Sequence, residues 1–247
     1  MEFKKQSRTD KEETYEEKLE GYIESSPFTN IDKFDNFTKY ISRQSLTKFL
    51  CKNELFKKVV DIHGSVVECG VLFGGGLMAW AQLSAIYEPV NYTRRVIGFD
   101  TFEGFPSISK QDDKSQSEEC HKGGLAVDSY EDIKTSAKIF DTNRMIGHIP
   151  KVELIKGDAT KTIPQYLEDN PHLIVSLLYL DFDIYEPTKV ALRNFLPRMP
   201  KGAIIGFDEL NNPDWTGETI AVLETFTKRI KIERFSFGSY MAYAVLE

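Results

Sequence analysis

The sequence is poor in cysteine and contains no long apolar run. Its three cysteines, Cys51, Cys69 and Cys120, are odd in number and form no close pair, which argues against a disulfide framework or a zinc knuckle. We expect them to be small buried or half-buried apolar residues of a reduced, cytoplasmic protein. No stretch approaches the ~20 apolar residues of a membrane-spanning helix, and residues 1–19 are too rich in Lys, Glu and Asp for a secretory signal.

Positive charge is also scarce: the sequence has 31 Lys and Arg residues and 38 Asp and Glu residues, which gives a formal net charge of −7. Proteins that bind nucleic acid usually carry a basic surface that neutralises phosphates, so this balance disfavours a DNA or RNA partner. Hydrophobic residues make up 41% of the chain and charged residues 28%, an ordinary globular mixture. The composition therefore favours neither nucleic acid nor a membrane as partner, and it leaves a homo-oligomer open.

The order of apolar patterns predicts an α/β fold. Residues 1–30 form a charged arm ahead of a single domain over residues 31–247, and we expect residues 1–19 to be frayed and solvated. Helical spacing in residues 31–62 predicts a helical extension of two helices. Strand and helix patterns then alternate five times, which predicts a mostly parallel sheet with helices on both faces and a closing antiparallel hairpin. The seven strands are expected at residues 66–69, 95–99, 151–156, 173–180, 203–207, 230–235 and 240–246.

One long segment, residues 101–128, shows neither the apolar spacing of a helix nor the alternation of a strand. Structureless segments longer than ~12–15 residues are uncommon in compact domains and are usually lids or disordered. We expect a lid here. The sequence that follows predicts a helix with Ser129 as its N-cap and an acidic residue three positions on.

Ligands of open parallel sheets bind beyond the carboxyl ends of the strands. The first strand ends in Glu68-Cys69-Gly70 and leads to Gly74, a glycine-rich turn whose backbone can approach a ligand closely. An acid here suits the ammonium group of the methionine part of S-adenosylmethionine, whereas it would repel a pyrophosphate. The dinucleotide spacing G-x-G-x-x-G is absent. A tight turn without a ligand is the alternative.

The next two strands also end in acids. Asp100 can accept hydrogen bonds from two ribose hydroxyls, a feature that NAD and S-adenosylmethionine share, and Thr101 follows it in the expected cofactor site. Asp158, after the third strand, can accept the adenine amino group or can cap the helix that begins near Thr160. The residues leave both roles of Asp158 open.

Four carboxylates follow the fourth and fifth strands: Asp181 and Asp183 after one, Asp208 and Glu209 after the other. Residues i and i+2 of a strand point the same way, so Asp181 and Asp183 share a site if the extended geometry continues past the strand. Uncompensated carboxylates raise one another's pKa, and a hard cation such as Mg²⁺ resolves that repulsion. Helix caps and salt bridges are the alternative roles.

Four stretches of the sequence resemble the macrocin-type sugar O-methyltransferases of antibiotic biosynthesis. They are Val67-Glu68-Cys69-Gly70-Val71, Gly98-Phe99-Asp100-Thr101-Phe102-Glu103-Gly104-Phe105-Pro106, Leu180-Asp181-Phe182-Asp183-Ile184-Tyr185-Glu186-Pro187-Thr188 and Gly206-Phe207-Asp208-Glu209. The resemblance implies a Rossmann-like class I methyltransferase fold, S-adenosylmethionine, Mg²⁺ or another divalent cation, and methylation of a hydroxyl in a sugar-containing small molecule.

The resemblance also implies roles for the acids. It assigns metal ligation to Asp181, Asp208 and Glu209, and the role of general base to Asp183. The family commonly has two aspartates where this chain has Asp208-Glu209, and the longer carboxylate of Glu209 can still reach a metal. Residues 107–124 are idiosyncratic, so the acceptor stays open.

Other interpretations of the sequence remain. His121 or His148 is an alternative base. Trp215 is either a core residue or the floor of the acceptor pocket. A nucleotide-dependent Rossmann oxidoreductase is a second function, although Glu68 in the turn and the missing dinucleotide spacing count against it. A catalytically inert binding module is a third, because a fold does not guarantee a function.

Overall fold

A computed structural model describes residues 10–226, 230–237 and 240–247. The helices are α1 (Asp10–Ser25), α2 (Asn30–Asp35), α3 (Arg43–Val59), α4 (Gly75–Tyr87), α5 (Tyr130–Thr142), α6 (Ala159–Asp169), α7 (Tyr185–Phe195) and α8 (Thr216–Thr225). The strands are β1 (Ser65–Cys69), β2 (Val96–Asp100), β3 (Val152–Lys156), β4 (Val175–Leu180), β5 (Ile204–Phe207), β6 (Glu233–Arg234) and β7 (Ala242–Val245). The chain divides between Leu50 and Cys51 into two compact units.

The first unit is helical where it is described. The expectation of a frayed arm is wrong from Asp10 onward, because Asp10–Ser25 forms an α-helix of 16 residues. The next helix, α2, begins at a capping box in which the Thr29 hydroxyl accepts the Asp32 N–H and Asp32 accepts the Thr29 N–H. The unit boundary at Leu50 also lies 20 residues beyond the end of the predicted arm at residue 30.

The second unit is built on a seven-stranded sheet in the order β3-β2-β1-β4-β5-β7-β6. Strands β1 to β5 pair in parallel, and β7 pairs antiparallel with both β5 and β6. The sequence-based prediction of a mostly parallel α/β sheet with a C-terminal hairpin is confirmed. Because β1 lies between β2 and β4, the chain order reverses there, and the crevice for a ligand opens beyond the ends of β1 and β4.

Two predicted element ends differ from the structure. The hairpin strands are shorter than predicted, at Glu233–Arg234 and Ala242–Val245, and Gly238 and Ser239 between them lie outside the described residues. Helix α8 ends at Thr225, and residues 227–229 also lie outside the described residues.

The core lies on both faces of the sheet, as parallel strands require. Strands β1 and β4 are buried along their whole length. One face packs Val67, Ile97, Leu178 and Ile205 against side chains of α6 and α7, including Ile163, Leu192 and Phe195. The other packs Val66, Leu177 and Ile204 against side chains of α3 and α4, including Phe56, Leu77 and Trp80. Each large apolar side chain buried here contributes about 1.5–3 kcal/mol. Within the described ranges, no helix has the length and apolar character needed to cross a membrane.

Candidate active site

The register of the sheet aligns the residues that follow three strands. Cys69 of β1 pairs with Leu180 of β4, and Leu180 pairs with Phe207 of β5. The ladder continues one step beyond the strands, since the Asp181 N–H donates to the Cys69 carbonyl at 2.8 Å and the Asp208 N–H to the Leu180 carbonyl at 3.0 Å. The backbones of Asp181 and Asp208 therefore lie side by side at the carboxyl edge of the sheet.

The turn after β1 packs directly against this edge. Gly70 has a φ of +93°, and a Cβ at this position would overlap the Asp181 carbonyl oxygen. Gly74, the N-cap of α4, has a φ of +83°, and a Cβ there would collide with Ile133. Glycine is required at both positions because side chains fit neither the left-handed backbone nor the space. The glycine turn thus lies in contact with the backbone of a predicted metal ligand.

Asp100 holds this turn in place. Its Oδ2 accepts the N–H groups of Val71 and Leu72 at 2.7 and 3.0 Å, and its Oδ1 accepts the Phe102 N–H at 2.7 Å. A carboxylate oxygen has room for two hydrogen bonds, so Oδ1 retains an acceptor site for a ligand hydroxyl. The Thr101 hydroxyl donates to the Gly104 carbonyl at 2.7 Å and so closes the turn after β2.

Asp158 fills the capping role that the sequence left open. Its Oδ1 accepts the Thr160 N–H at 3.0 Å and the Thr160 hydroxyl at 2.7 Å, at the N-terminus of α6. Its Oδ2 lies 3.2 Å from the Lys161 Nζ. Binding of adenine by Asp158 stays a prediction.

Glu68 lies inside β1, before the turn, and is buried. Its Oε1 accepts hydrogen bonds from the Lys52 Nζ at 3.0 Å and the Trp80 Nε1 at 3.3 Å, whereas Oε2 has no hydrogen-bond partner in the described part of the chain. Burial raises the pKa of Glu68, and Lys52 and Trp80 oppose that rise. Sequence reasoning missed Lys52, a buried lysine of α3 that follows the buried Cys51.

A polar network extends from Glu68 to the edge of the sheet. The Lys52 Nζ lies 3.4 Å from the centre of the Tyr179 ring, a cation–π contact, and the Tyr179 hydroxyl donates to Oδ1 of Asp208. Burial and then Asp208 raise the pKa of Tyr179 well above its usual value, so the phenol remains a donor. The buried acid of β1 and the acid after β5 are therefore connected through Lys52 and Tyr179.

Asp183 occupies an unexpected backbone conformation. The sequence argument required extended geometry as far as Asp183, but β4 ends at Leu180 and Asp183 has a φ of +65°. The chain turns here, with the Ile184 N–H donating to the Phe182 carbonyl at 2.6 Å. The strand-alternation argument for pairing Asp181 with Asp183 is thus wrong. Left-handed non-glycine residues are strained and cluster at functional sites.

The turn nevertheless brings Asp183 within electrostatic reach of the other acids. Burial raises its pKa well above the usual value, and Asp181, Glu209, Glu218 and Asp208 raise it further, in that order. The other predicted carboxylates therefore act on Asp183 electrostatically.

Asp183 and Asp208 do not act as helix caps. The N-cap of α7 is Ile184, and the first N–H of this helix, from Tyr185, donates to Oδ1 of Asp112 at 2.9 Å. The N-cap of α8 is Trp215. The capping alternative raised from the sequence is wrong for both acids.

Two buried acids of the site were missed by sequence reasoning. Asp112 lies in the predicted lid, where it accepts the Ser109 N–H at 3.0 Å in addition to its bond with α7. Glu218 lies in the first turn of α8, and its Oε1 accepts the Glu209 N–H at 3.3 Å. A single Asp in a loop and a single Glu in a helix carry no sequence signal that separates them from surface residues.

The predicted lid, residues 101–128, includes one short 3₁₀ turn at Lys110–Asp112. It is hydrogen-bonded to the loop after β5, because the Gln116 N–H donates to the Pro213 carbonyl at 3.0 Å and the Thr216 N–H to the Ser115 hydroxyl at 3.1 Å. Phe105 of this segment packs edge-on against Trp215 at 5.8 Å. The segment thus lies beside the acids.

Remaining sequence candidates fall elsewhere or have other roles. His121 and His148 are exposed. Ser129 is the N-cap residue of α5, but its hydroxyl donates to the Leu72 carbonyl, so the predicted side-chain cap is wrong. The three cysteines are free thiols, two buried and one half-buried, as expected.

The acids fit a hard cation by their chemistry. Within the described ranges, no group of three or more His, Cys, Asp or Glu side chains has metal-binding geometry. The donor set nevertheless consists of oxygens. Burial and then the neighbouring carboxylates raise the pKa of both Asp183 and Glu218 well above the usual values. Oε2 of Glu218 is buried without a hydrogen-bond partner among the described residues. Carboxylates crowded in this way suit Mg²⁺.

Known proteins resemble this chain in sequence and in fold. Residues 40–234 match the macrocin-O-methyltransferase (TylF) family. The structure resembles the crystal structure of CalS11, a calicheamicin methyltransferase, with a TM-score of 0.91 and 31% identity, covering 98% of this chain and 95% of CalS11. An apo structure of CalS11, described as a TDP-rhamnose 3'-O-methyltransferase, gives a TM-score of 0.82 and 30% identity, covering 96% of this chain and 95% of that chain.

A curated relative comes from Streptomyces olivaceus. It is the 8-demethyl-8-(2,3-dimethoxy-alpha-L-rhamnosyl)-tetracenomycin-C 4'-O-methyltransferase, 25% identical over 155 residues, or 60% of this chain. The chain spans about half of that relative, 53% of its length.

Proposed function

Because the chain belongs to the macrocin-O-methyltransferase family, we propose that it transfers the methyl group of S-adenosylmethionine to a hydroxyl of a sugar-containing small molecule. A divalent cation assists this methyl transfer, and Mg²⁺ is the cation that we propose. The contact between the Gly70 turn and the Asp181 backbone carries this proposal, because it sets the proposed cofactor turn directly beside the acids.

The cofactor residues act as a frame for the methyl donor. Asp100 holds the N–H groups of the turn, and its Oδ1 has room to accept a ribose hydroxyl. We assign the unpartnered Oε2 of Glu68 to the ammonium group of the methionine part, although the other oxygen already binds Lys52. Asp158, which follows β3 and caps α6, is the residue to which we assign the adenine amino group.

The acids activate the hydroxyl of the acceptor for attack on the methyl group. A sugar hydroxyl is a poor nucleophile at neutral pH, so a base must take its proton as it attacks. Asp183 takes that proton while the oxygen–carbon bond forms and the carbon–sulfur bond breaks, which leaves S-adenosylhomocysteine and a methyl ether. When bound by Asp181, Asp208 and Glu209, a divalent cation supplies Lewis-acid polarisation of the hydroxyl.

The relatives indicate the class of acceptor. The names of CalS11 and of the S. olivaceus enzyme both specify a rhamnose-type sugar, one linked to TDP and one to tetracenomycin C. We propose a deoxysugar acceptor, either nucleotide-linked or already part of an antibiotic or surface-glycan precursor.

Calorimetry and a methyl-transfer screen test the proposal. We expect S-adenosylmethionine and S-adenosylhomocysteine to bind, NADH not to bind, and methyl transfer to a panel of TDP-deoxysugars and rhamnosides to require Mg²⁺. Binding of NADH in place of S-adenosylmethionine would indicate an oxidoreductase. Cofactor binding without transfer to any sugar, with or without Mg²⁺, would indicate an inert binding module.

A further inference from the structure

We propose that Asp112 is a positioning residue for Asp183, the base of the proposed function. Its carboxylate comes from the segment over residues 101–128 and binds the start of α7, two residues after Asp183 in the chain. This inference rests on the proposed function. It gives a part in the reaction to a residue that neither the sequence motifs nor the family resemblance indicates.

The backbone at Asp183 needs support from its surroundings. Asp183 has a φ of +65°, and the Ile184 N–H donates across it to the Phe182 carbonyl at 2.6 Å. A three-residue turn with a positive φ at its centre is rare and strained. Such strain persists only where the neighbouring structure fixes the chain, so contacts are needed on both sides of the turn.

The side before the turn is fixed by the backbone of the sheet. The Asp181 N–H donates to the Cys69 carbonyl at 2.8 Å, and Gly70 packs against the Asp181 carbonyl oxygen. These contacts involve no atom of Asp112.

The side after the turn is fixed by Asp112. Helix α7 begins at Tyr185, and its N-cap residue is Ile184, whose side chain has no atom that accepts a hydrogen bond from the first N–H groups of the helix. Oδ1 of Asp112 accepts the Tyr185 N–H at 2.9 Å instead. A carboxylate at this end of a helix also interacts favourably with the helix dipole.

The Asp112 carboxylate is itself held in place. Its residue has an exposed fraction of 2%, and its Oδ2 accepts the Ser109 N–H at 3.0 Å and the Ser109 hydroxyl at 2.6 Å. Gly217, at the start of α8, packs so closely that a Cβ would overlap Oδ1 of Asp112. Because the carboxylate is confined on both oxygens, it fixes the Tyr185 N–H and with it the end of the turn at Asp183.

Asp112→Ala tests the proposal, with Asp32→Ala as the matched control. Asp32 accepts the Thr29 N–H at 3.1 Å and the Thr29 hydroxyl at 2.6 Å, the same pair of bonds that Asp112 makes with Ser109. It lies in α2, in the first unit of the chain, and is exposed. Loss of such a pair of bonds is therefore common to both variants, whereas loss of the bond to Tyr185 is specific to Asp112→Ala.

A double-mutant cycle on kcat separates positioning from a purely structural role. Asp112→Ala and Asp183→Asn are measured singly and together. Transfer of a radiolabelled methyl group from S-adenosylmethionine to TDP-rhamnose, or to a rhamnoside identified by the screen above, keeps slow turnover measurable. Urea unfolding and S-adenosylhomocysteine binding check the fold of every variant.

We expect Asp112→Ala to lower kcat by roughly 10- to 100-fold in the otherwise unmodified enzyme, because a small misplacement of a reacting group is that costly. The KM for S-adenosylmethionine and the affinity for S-adenosylhomocysteine should stay unchanged. In the Asp183→Asn background, the same change should lower kcat by less than about twofold. Asp32→Ala should turn over normally.

Ser109→Ala keeps the test open if Asp112→Ala does not fold. It removes one hydrogen bond to Oδ2 of Asp112 and leaves the carboxylate present. The kcat should fall by a smaller factor than in Asp112→Ala, and this loss should also disappear in the Asp183→Asn background.

Equal losses of kcat with and without Asp183→Asn would show that Asp112 supports the fold alone and would overturn the proposal, as would a normal kcat in Asp112→Ala. Normal turnover in Asp183→Asn would also overturn it but would leave the methyltransferase activity intact. Absence of methyl transfer by the unmodified protein to every acceptor in the screen would overturn both.

Discussion

The ammonium group of Lys52 and the carboxylate of Glu68 form an ion pair 3.0 Å long in which both side chains are at least nine-tenths buried. The pair joins α3 to β1 and packs against the start of α4, where a Cβ on Gly76 would overlap Oε1 of Glu68. Removing one partner of a buried pair leaves the other charge without compensation, which costs more than the pair itself contributes.

Lys52→Met should therefore destabilise the protein by about 3–5 kcal/mol, as measured by urea unfolding. The matched control lies on the same helix: Lys57 pairs with Glu54 at 3.1 Å, but both side chains are more than two-fifths exposed. Lys57→Met should cost less than about 1 kcal/mol. Adding Glu68→Gln to Lys52→Met should restore part of the loss, and equal losses in the two lysine variants would contradict the compensating role.

Tyr179→Phe should reduce methyl transfer by impairing the placement of Asp208. The change retains the ring beneath Lys52 but removes the hydroxyl that donates to Asp208. Tyr166→Phe is the matched control, because its hydroxyl donates to Glu153 at 2.9 Å, away from the acids. Each variant should lose about 1–2 kcal/mol of stability.

The kinetics should separate these two tyrosines. We expect the kcat of Tyr179→Phe to fall by roughly tenfold, equivalent to ~1.4 kcal/mol of transition-state stabilisation, with a higher Mg²⁺ requirement and unchanged S-adenosylmethionine binding. The kcat of Tyr166→Phe should stay normal. Equal kcat values in the two variants would reduce the Tyr179 hydroxyl to a purely structural role.

The fold was predictable because its signals are local. Strands such as β1 and β4 are buried on both faces, which requires short continuous apolar runs that the sequence displays between turns. Acids that follow such runs meet at one edge of the sheet by topology alone, so the positions of Asp181 and Asp208 followed from strand order.

The missed parts of the site depend on contacts between distant segments. Lys52 reaches Glu68 across 16 residues, and Asp112 reaches the start of α7 across 73. No period or local motif encodes such contacts. The turn at Asp183 was missed for a different reason. The positive φ of this aspartate is set by the packing around it, and no glycine in the sequence marks the turn.

Residues 101–128 should become more protected from hydrogen exchange when S-adenosylhomocysteine and a sugar acceptor bind together. The segment already contacts the loop after β5 through Gln116 and Ser115, beside the acids. Its closure would exclude water from the transfer step. Amides in the last turn of α6, which ends at Asp169 and is remote from its cap Asp158, serve as the internal reference and should not change. Equal protection of the segment in free and bound protein would rule out a lid.

Asp183→Asn tests the division of labour between the base and the metal ligands. Asparagine fits the left-handed backbone at this position and retains the shape of the side chain, but it cannot take a proton. Binding of Mg²⁺ and S-adenosylmethionine should survive, while kcat falls by roughly 10²–10⁴-fold, the range typical of a lost general base. Asp181→Asn and Asp208→Asn should instead lose metal affinity and activity together, with partial rescue by excess Mg²⁺.

His121→Asn and His148→Asn, at exposed positions, are the controls and should turn over normally. Normal turnover in Asp183→Asn would transfer the base role to another group, and a large loss in either histidine variant would identify it. Full activity of the unmodified enzyme in a chelator would leave the carboxylates without a cation to hold and would contradict the metal-assisted mechanism directly.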